Sequence, residues 1–221
     1  MSASAERGEA RERVIGDPAA APVIAVLLAA GGSRRLGQPK QLLRLAGQAL
    51  VRRAALAALG SQAVRTIVVT GARAPAVERA LAGLAVEIAH CAHWEAGLAA
   101  SLVSGVEAAL ARGAASVLLV LADQPAVDAA LLDRLIALHA AGHQLVACHY
   151  GGEPGVPALF APRFARELLA LEGDRGAKAL LAREAANLAL VPFADGGLDI
   201  DTPEDWARIS GIFEARAAEP Q

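Results

Sequence analysis

The alternation of short apolar runs with longer segments of helical period constrains the fold of this chain more than any other feature. The apolar run Ser116–Leu121 has no polar break after its first residue, as expected for a strand covered by helices on both faces. Repeated strand–helix units predict a mostly parallel sheet with right-handed crossovers, in which ligands bind at the carboxyl ends of the strands. The predicted strands are 23–29, 66–70, 86–90 and 116–121, and the helices are 50–59, 75–84, 97–111 and 126–141.

The second half of the chain is less regular. The runs 144–150 and 156–161 predict two strands joined by the turn Gly-Gly-Glu-Pro-Gly, which indicates a hairpin-like insertion. The segments that follow predict a mixed sheet edge and a closing helix over 203–215. We therefore expect an α/β fold, a Rossmann-like three-layer sandwich with a mostly parallel sheet.

The length of 221 residues suits one domain, which we place at 22–215. Residues 1–21 are small, charged and aperiodic, and they lack the apolar core of a signal peptide, so we expect a flexible N-terminal tail. We expect a second, short tail at 216–221.

Composition argues against several classes of protein. A formal net charge of −2 gives no basic field for nucleic acid, and no apolar run approaches the roughly 20 residues of a membrane-spanning helix. The two cysteines, Cys91 and Cys148, do not form a CxxC pair. We expect reduced thiols in a cytoplasmic protein that binds neither nucleic acid nor membrane.

The first strand runs directly into a small, basic loop, LLAAGGSRRLGQPK, which ends at Lys40. Its glycines let backbone N–H groups approach an anion closely, and its basic side chains supply charge that a triphosphate would neutralise. The sequence therefore predicts a phosphate-binding loop. The residues concerned are Gly31, Gly32, Gly37, Arg34, Arg35 and Lys40.

This loop fits neither of the two common nucleotide-binding motifs. Gly32 and Gly37 have the separation of a Walker A loop, but Gln38-Pro39-Lys40 follows where that motif requires Gly-Lys-Ser/Thr. The dinucleotide pattern GxGxxG is also absent.

The pattern AAGxSxRxGxxKxL over residues 29–42 resembles the loop of nucleotidyltransferases related to molybdenum cofactor cytidylyltransferase. The resemblance implies that the loop wraps the triphosphate of an incoming nucleotide, with Arg35 and Lys40 on the phosphates. It also implies that the loop backbone contacts the nucleotide at Ala29, Ala30, Gly31 and Gly32.

The same loop carries an indication of base preference. Guanylyl-transferring relatives usually show LAGG where this chain has Leu28-Ala29-Ala30-Gly31, so the loop resembles the cytidylyl branch and favours CTP. A methyl group at residue 30 would also crowd a purine more than a pyrimidine if the base lies against that backbone.

Two aspartates are candidates to hold Mg²⁺, the hard cation that nucleotidyl transfer needs. Asp123 follows a buried strand, and the resemblance equates this position with a GDxP-type motif in which Ala122 replaces the usual glycine. Asp201 opens the string DTPEDW, which resembles the closing motif of the family and implies a second metal ligand. The local alternative is that Asp201 or Thr202 caps the last helix.

Three further motifs follow the family order. The segment around Trp94 resembles NxxWxxGxxxSLxxG, which implies that Gly97 and Ser101 lie near the base and ribose, although Trp94 fits a core anchor equally well. The acceptor pocket is implied by a GxP element at Gly155 and Pro157. A GDxG-like element adds Asp174, Gly176 and Lys178 to the acceptor site. The resemblance implies that Arg175 and backbone N–H groups of this element receive the acceptor phosphate. The alternative is that the element is only the start of a helix with exposed charges.

The resemblance spans Val23 to about Trp206 and implies a fold of the nucleotide-diphospho-sugar transferase type. It implies transfer of CMP from CTP to the phosphate of molybdopterin, with release of pyrophosphate and with Arg35, Lys40 and Asp123 in catalytic roles. The downstream partner would be a molybdoenzyme of the xanthine dehydrogenase type. The alternatives are another phosphorylated acceptor, the use of GTP, or a non-catalytic carrier of the molybdenum cofactor.

Overall fold

The computed structural model describes residues 22–218, with side chains described as far as residue 215. The predicted tail at 1–21 lies outside the described residues, as does the end of the chain from 219. The closing helix continues to Ala218, three residues beyond the predicted end at 215.

The described residues form nine strands and seven α-helices joined by short 3₁₀ turns. The strands are β1 (Val23–Leu28), β2 (Arg44–Leu45), β3 (Gln48–Ala49), β4 (Arg65–Thr70), β5 (Glu87–His90), β6 (Ser116–Leu121), β7 (Leu145–Tyr150), β8 (Glu153–Phe160) and β9 (Ala189–Pro192). The helices are α1 (Leu50–Leu59), α2 (Ala74–Ala80), α3 (Leu98–Ala111), α4 (Ala129–Ala140), α5 (Ala165–Leu169), α6 (Lys178–Arg183) and α7 (Pro203–Ala218). The 3₁₀ turns are Lys40–Leu42, Trp94–Ala96, Pro162–Phe164, Ala185–Asn187 and Ala194–Gly197.

Seven strands form one sheet in the order β5-β4-β1-β6-β8-β7-β9, and β2 and β3 form a separate hairpin. Within the seven-stranded sheet only β8 runs antiparallel to its neighbours, so the prediction of a mostly parallel sheet is confirmed. Successive side chains of β1 enter different cores: Leu27 packs into one and Val26 into the other. Burial on both faces is why this strand is apolar throughout.

The predicted hairpin exists, but its turn is shorter than predicted. β8 begins at Glu153, so Gly151 and Gly152 alone join it to β7, with φ values of +59° and +82°. Two residues at positive φ fit the right-handed twist of a tight hairpin, and glycine adopts that backbone without strain. The hairpin is part of the main sheet instead of an insertion, since β8 lies between β6 and β7.

The sheet brings distant segments to one edge. Leu28 and Leu121 are register partners at the ends of β1 and β6, so the basic loop and Asp123 both leave the sheet at this edge. Helix α3 lies directly on the sheet, because a Cβ at Gly105 would collide with Val26 and Val69.

A third, small core fixes the basic loop against the closing helix. Its buried members come from the loop, the β2–β3 hairpin, α1 and the chain around α7: Leu36, Leu45, Leu50, Ile200 and Ile209. This cluster holds residues 200–209 beside the basic loop although about 160 residues of sequence separate them.

Cys91 and Cys148 are buried free thiols, and burial raises the pKa of the Cys148 thiol to about 12. Between residues 22 and 218, no helix combines the length and the apolar character needed to cross a membrane.

Candidate active site

Side-chain hydrogen bonds shape the basic loop. The Lys40 N–H donates to Ser33 Oγ at 3.0 Å, and Gln41 Nε2 donates to the Gly31 carbonyl at 2.7 Å. Gln41 is only 3% exposed, so it anchors the loop from inside the protein. The backbone reverses at Ser33 and Gly37, both at positive φ, and this reversal returns Lys40 to the sheet edge.

The Lys40 ammonium group lies between two carboxylates. Its Nζ donates to Asp123 Oδ2 at 2.5 Å and to Asp201 Oδ1 at 2.9 Å. Arg35 Nη2 contacts the other oxygen of Asp201 at 2.6 Å. The structure therefore brings together the four charged residues that the sequence analysis selected as catalytic or metal-binding, two of each sign.

These contacts shift the pKa values of Lys40 and Asp201. Burial of Lys40 lowers its pKa, but the charges and hydrogen bonds of Asp123 and then Asp201 outweigh burial, so the net pKa is raised. Burial raises the pKa of the Asp201 carboxyl group, because it disfavours the charged form. The hydrogen bonds and charges of Lys40 and Arg35 outweigh burial, so the net pKa of Asp201 lies below its ordinary value. Lys40 and Asp201 therefore stay charged over a wide pH range.

The Asp201 side chain does not cap the closing helix. Thr202 and Asp205 form a reciprocal cap at the start of α7: the Asp205 N–H donates to Thr202 Oγ1, and the Thr202 N–H donates to Asp205 Oδ2 at 3.0 Å. Thr202 is thus the capping residue, and the carboxylate of Asp201 remains in the charged cluster.

A cleft of about 360 Å³ opens beside this cluster, between the basic loop, the start of α3 and the end of β6. We call it the first cleft. Predicted site residues that line it are Ala30, Gly31, Gly32, Lys40, Gly97, Ser101, Asp123 and Asp174.

A second cleft, also about 360 Å³, adjoins the first and is mainly apolar. Leu28, Leu98 and Leu121 line both clefts, so they meet at these three side chains. Of the predicted acceptor residues, Gly155, Gly176 and Lys178 line the second cleft, whereas Asp174 lies in the first. Ala29, Arg35, Asp201 and Pro157 are not among the residues that line either one.

The loop of residues 173–176, which packs against the start of α3, lies between the two clefts. The Ala99 N–H donates to the Gly173 carbonyl at 3.0 Å. Gly97 has φ +112°, and a Cβ there would collide with Gly173 and lie 2.7 Å from Asp174 Oδ1. Only glycine therefore permits this close approach.

Trp94 serves both roles that the sequence left open. It is half-buried, packs against the core and lines the first cleft. It also restricts the loop, since a Cβ at Gly32 would lie 2.9 Å from its ring. Ala30 is 2% exposed and its methyl group faces Gly71, so most of that methyl is covered by protein.

Gln124, a buried residue that joins three segments, was not among the predicted site residues. Its Nε2 donates to Tyr150 Oη at 3.2 Å, to the Val156 carbonyl at 3.0 Å and to the Gly196 carbonyl at 3.2 Å. Tyr150 and Val156 line the second cleft, so Gln124 connects the strand end that carries Asp123 to that cleft. The available signal was a polar residue directly after a buried strand.

Two more charged residues lie near the cluster: Arg34, which belongs to the predicted phosphate-binding loop, and Asp199, which was not among the predicted site residues. Arg34, and not Arg35, lines the first cleft; the Arg35 side chain is 73% exposed. Burial raises the pKa of the Asp199 carboxyl group, and Asp123 and Asp201 add to the rise.

The residues present fit a hard divalent cation. Asp123 and Asp201 approach one cationic group, the Lys40 ammonium, from two sides. Mg²⁺ is typically held by one or two carboxylates together with substrate phosphates and water. Among the residues described, no three His, Cys, Asp or Glu side chains group to hold a metal, so substrate and water would complete the coordination.

The family model described as the MobA-like NTP transferase domain matches residues 25–188, which is most of the chain. The chain belongs to the MobA-like NTP transferase family. It is therefore a nucleotidyltransferase by family, which agrees with the resemblance drawn from the motifs.

Two curated relatives align with this MobA-like transferase over nearly their whole length. Purine catabolism protein PucB of Bacillus subtilis is 32% identical over 83% of this chain and 94% of its own. Nicotine blue oxidoreductase of Paenarthrobacter nicotinovorans is 32% identical over 88% of this chain and 100% of its own.

Solved structures show the same architecture. A nucleotidyl transferase from Methanothermobacter thermautotroptrophicus is 29% identical, with a TM-score of 0.76 over 88% of this chain and 99% of its own. Rv0371c of Mycobacterium tuberculosis H37Rv, solved in complex with manganese, is 28% identical, with a TM-score of 0.69 over 86% and 98%. Two more distant solved structures share the fold alone: CMP:2-keto-3-deoxy-manno-octonic acid synthetase, at 15% identity and a TM-score of 0.69, and 4-diphosphocytidyl-2C-methyl-D-erythritol synthase of Anaerococcus prevotii, at 13% identity and a TM-score of 0.71. They confirm the predicted fold of the nucleotide-diphospho-sugar transferase type.

Proposed function

We propose that this MobA-like transferase moves a cytidylyl group from CTP to the phosphate of molybdopterin, with release of pyrophosphate. The observation that carries the proposal is the position of Lys40 between Asp123 and Asp201, with Lys40 and Asp123 on the wall of the first cleft, which a second cleft adjoins. One cleft would hold the nucleotide and the other the acceptor.

The proposed reaction is a displacement at the α-phosphorus of CTP. An oxygen of the acceptor phosphate forms a new bond to that phosphorus, and the bond to the oxygen that bridges the α- and β-phosphates breaks. The electron pair leaves with pyrophosphate. No general base is required, because the attacking phosphate is already anionic.

The protein would contribute charge and position. Lys40 and Arg35 would neutralise the leaving phosphates, assisted by Arg34 on the wall of the first cleft. The glycine-rich backbone between β1 and Lys40 would place N–H groups against the triphosphate.

Asp123 and Asp201 would hold Mg²⁺, and the bound ion would supply Lewis-acid stabilisation of charge on the phosphates. The manganese complex of the 28% identical Mycobacterium tuberculosis protein supports a divalent cation in this family. Removal of divalent ions with a chelator should abolish turnover, and Mg²⁺ should restore it.

CTP is proposed because the Ala29-Ala30-Gly31 loop resembles the cytidylyl branch. Since the Ala30 methyl group faces Gly71, we assign base selection to the position of the loop backbone more than to that methyl.

Molybdopterin is proposed as the acceptor because the second cleft is apolar along most of its wall, with charge at its mouth. Leucine side chains can pack against the faces of a planar heterocycle, whose polar groups lie at its edge. A polyol such as a sugar phosphate carries hydroxyl groups on its faces, and these would lack partners against leucine. Lys178, which pairs with Glu153 at 2.5 Å, and Arg175 would receive the phosphate. The product would pass to a molybdoenzyme of the xanthine dehydrogenase type.

Pyrophosphate release tests this proposal when it is measured with CTP, GTP and ATP, each with and without molybdopterin. We expect release that requires both CTP and molybdopterin, and loss of release in Asp123→Asn. Release with a different acceptor or with GTP would support the enzymatic alternatives. If no triphosphate releases pyrophosphate and Asp123→Ala leaves cofactor delivery unchanged, the carrier alternative is correct.

A further inference from the structure

We propose that Asp174 binds the ribose hydroxyl groups of the incoming nucleotide. This inference rests on the proposed function and deepens it, because it assigns Asp174 to the nucleotide and not to the acceptor phosphate suggested by its motif.

The position of Asp174 is fixed by the packing of its loop on α3. Gly173 accepts a hydrogen bond from the Ala99 N–H, and Asp174 Oδ1 lies beside Gly97 at a distance that excludes a side chain there. On the other side of the loop, a Cβ at Gly176 would lie 2.9 Å from Leu98 Cδ2. The loop is therefore seated against the helix at both ends.

This loop forms a partition between the two clefts. Asp174 lines the first cleft, whereas Gly176 lines the second, and Leu98 beneath them lines both. The loop therefore lies where a molecule bound in the first cleft would contact a molecule bound in the second.

The chemistry of the transfer then selects the ribose. The α-phosphorus must meet the acceptor phosphate where the clefts join, near Asp123. The ribose is bonded to the α-phosphate through its 5′ oxygen, so it is the part of the nucleoside closest to that junction. The base is bonded to the ribose on the side away from the phosphates, so it lies deeper in the first cleft.

Charge supports the same assignment. A carboxylate only accepts hydrogen bonds, and it repels phosphate. The cations of the first cleft, Arg34 and Lys40, lie on the basic loop, and so the phosphates belong on that side. The Asp174 carboxylate has no hydrogen bond or ion pair to any other residue between 22 and 215, which leaves it available to the two hydroxyl donors of a ribose.

The experiment is calorimetric titration of the protein with CTP and with 2′,3′-dideoxy-CTP in a Mg²⁺ buffer without acceptor. The two nucleotides share the base and the triphosphate, so the ratio of their affinities reports only on the ribose hydroxyls. We expect the wild type to prefer CTP by about 10- to 100-fold, since hydrogen bonds to a charged acceptor are strong.

The variants separate ribose binding from a general effect on the cleft. Asp174→Ala should reduce the preference for CTP to about twofold or less, and Asp174→Asn, which keeps one acceptor oxygen, should give an intermediate ratio. Glu95→Ala removes another carboxylate from the wall of the same cleft, and it should change both affinities equally and leave the ratio intact.

The proposal is overturned if the wild type binds both nucleotides equally, or if Asp174→Ala weakens both by the same factor. A base contact or a structural role of Asp174 would give that second result. Failure of the proposed function is distinguishable, because pyrophosphate release would then be absent although the ratio still depends on Asp174.

Discussion

Lys40 is one of only two lysines in a chain with 19 arginines, and its surroundings explain why a lysine stands there. A compact ammonium group fits between Asp123 and Asp201 and donates to both, whereas the planar guanidinium group of an arginine directs its donors in a fixed fork. The loop hydrogen bonds through Ser33 and Gln41 bring this residue back to the sheet edge.

Lys40→Met should lower kcat for pyrophosphate release by about 100-fold or more, the usual effect of removing one charge-stabilising donor. Lys40→Arg should retain part of the activity, because it keeps the charge but not the geometry. The matched control is Arg112→Met, at the far end of α3 in an ion pair with Glu87, which should leave kcat unchanged. A Lys40→Met enzyme within threefold of the wild type would contradict this role.

The sequence was sufficient to find Lys40, Asp123 and Asp201, because each lies in a short motif or directly after a buried strand. It was not sufficient to find Gln124. The partners of its amide, the Val156 and Gly196 carbonyls, come from segments 32 and 72 residues away, and their approach depends on the place of β8 in the sheet. Arg34 and Arg35 also could not be distinguished, since they are adjacent and only the backbone reversal decides which lines the cleft.

At the scale of elements, Gln124 holds the end of β6 to β8 and to the turn at Ala194–Gly197. Gln124→Leu should lower the free energy of unfolding by about 1–3 kcal/mol, because it leaves the Gly196 carbonyl without its side-chain donor, whereas the Val156 carbonyl keeps the Tyr150 hydroxyl. Gln144→Leu is the same substitution at an exposed position and should change stability by less than about 0.5 kcal/mol. Urea denaturation measures both, and equal effects of the two substitutions would rule out the proposed link.

The third core ties α7 to the basic loop, so its loss should affect binding as well as stability. Ile209→Ala should destabilise the protein by about 2–4 kcal/mol and also weaken CTP binding, since Asp201 and the loop lose a common support. Leu135→Ala, in the buried face of α4, should cost a similar amount of stability. Calorimetric titration with CTP, at a temperature where both variants are folded, should show normal CTP affinity for Leu135→Ala and reduced affinity for Ile209→Ala. If both variants lose the same CTP affinity, the third core has no special connection to the site.

At the scale of the whole molecule, the mostly parallel sheet collects segments from residues 29 to 201 at one edge. Strand β8, which runs antiparallel to its neighbours in this sheet, supplies part of the wall of the second cleft. The parallel arrangement follows from the alternating pattern of the sequence. The insertion of β8 between β6 and β7 was not predicted, because a hairpin motif fixes the pairing of its own two strands but not the third strand that joins them.

The charged cluster should give stability a defined pH dependence. The pKa of Asp201 is lowered in the folded state, so its stabilising contribution is present above its ordinary value of 3.8 and is lost as pH falls through the folded pKa. The difference in unfolding free energy between wild type and Asp201→Asn should therefore shrink as pH falls below about 3.8. Urea denaturation from pH 3 to 7 measures it, and a difference that stays constant over this range would contradict the cluster as described.

The raised pKa of Lys40 gives stability a pH dependence at alkaline pH, where stability falls as pH rises. The pKa of Lys40 is raised in the folded state, so its contribution is present below its ordinary value of 10.5 and is lost as pH rises through the folded pKa. The contributions of Asp201 and Lys40 to stability are therefore both fully present across neutral pH.

The central claim is that the α-phosphorus of CTP moves to the acceptor, and the fate of a radioactive label tests it most directly. The protein is incubated with molybdopterin, Mg²⁺ and CTP labelled at either the α- or the γ-phosphate, and the products are separated. We predict that the α label appears in the molybdopterin product and that the γ label appears only in pyrophosphate. A γ label in the product, or no label transferred from either position, would contradict the account.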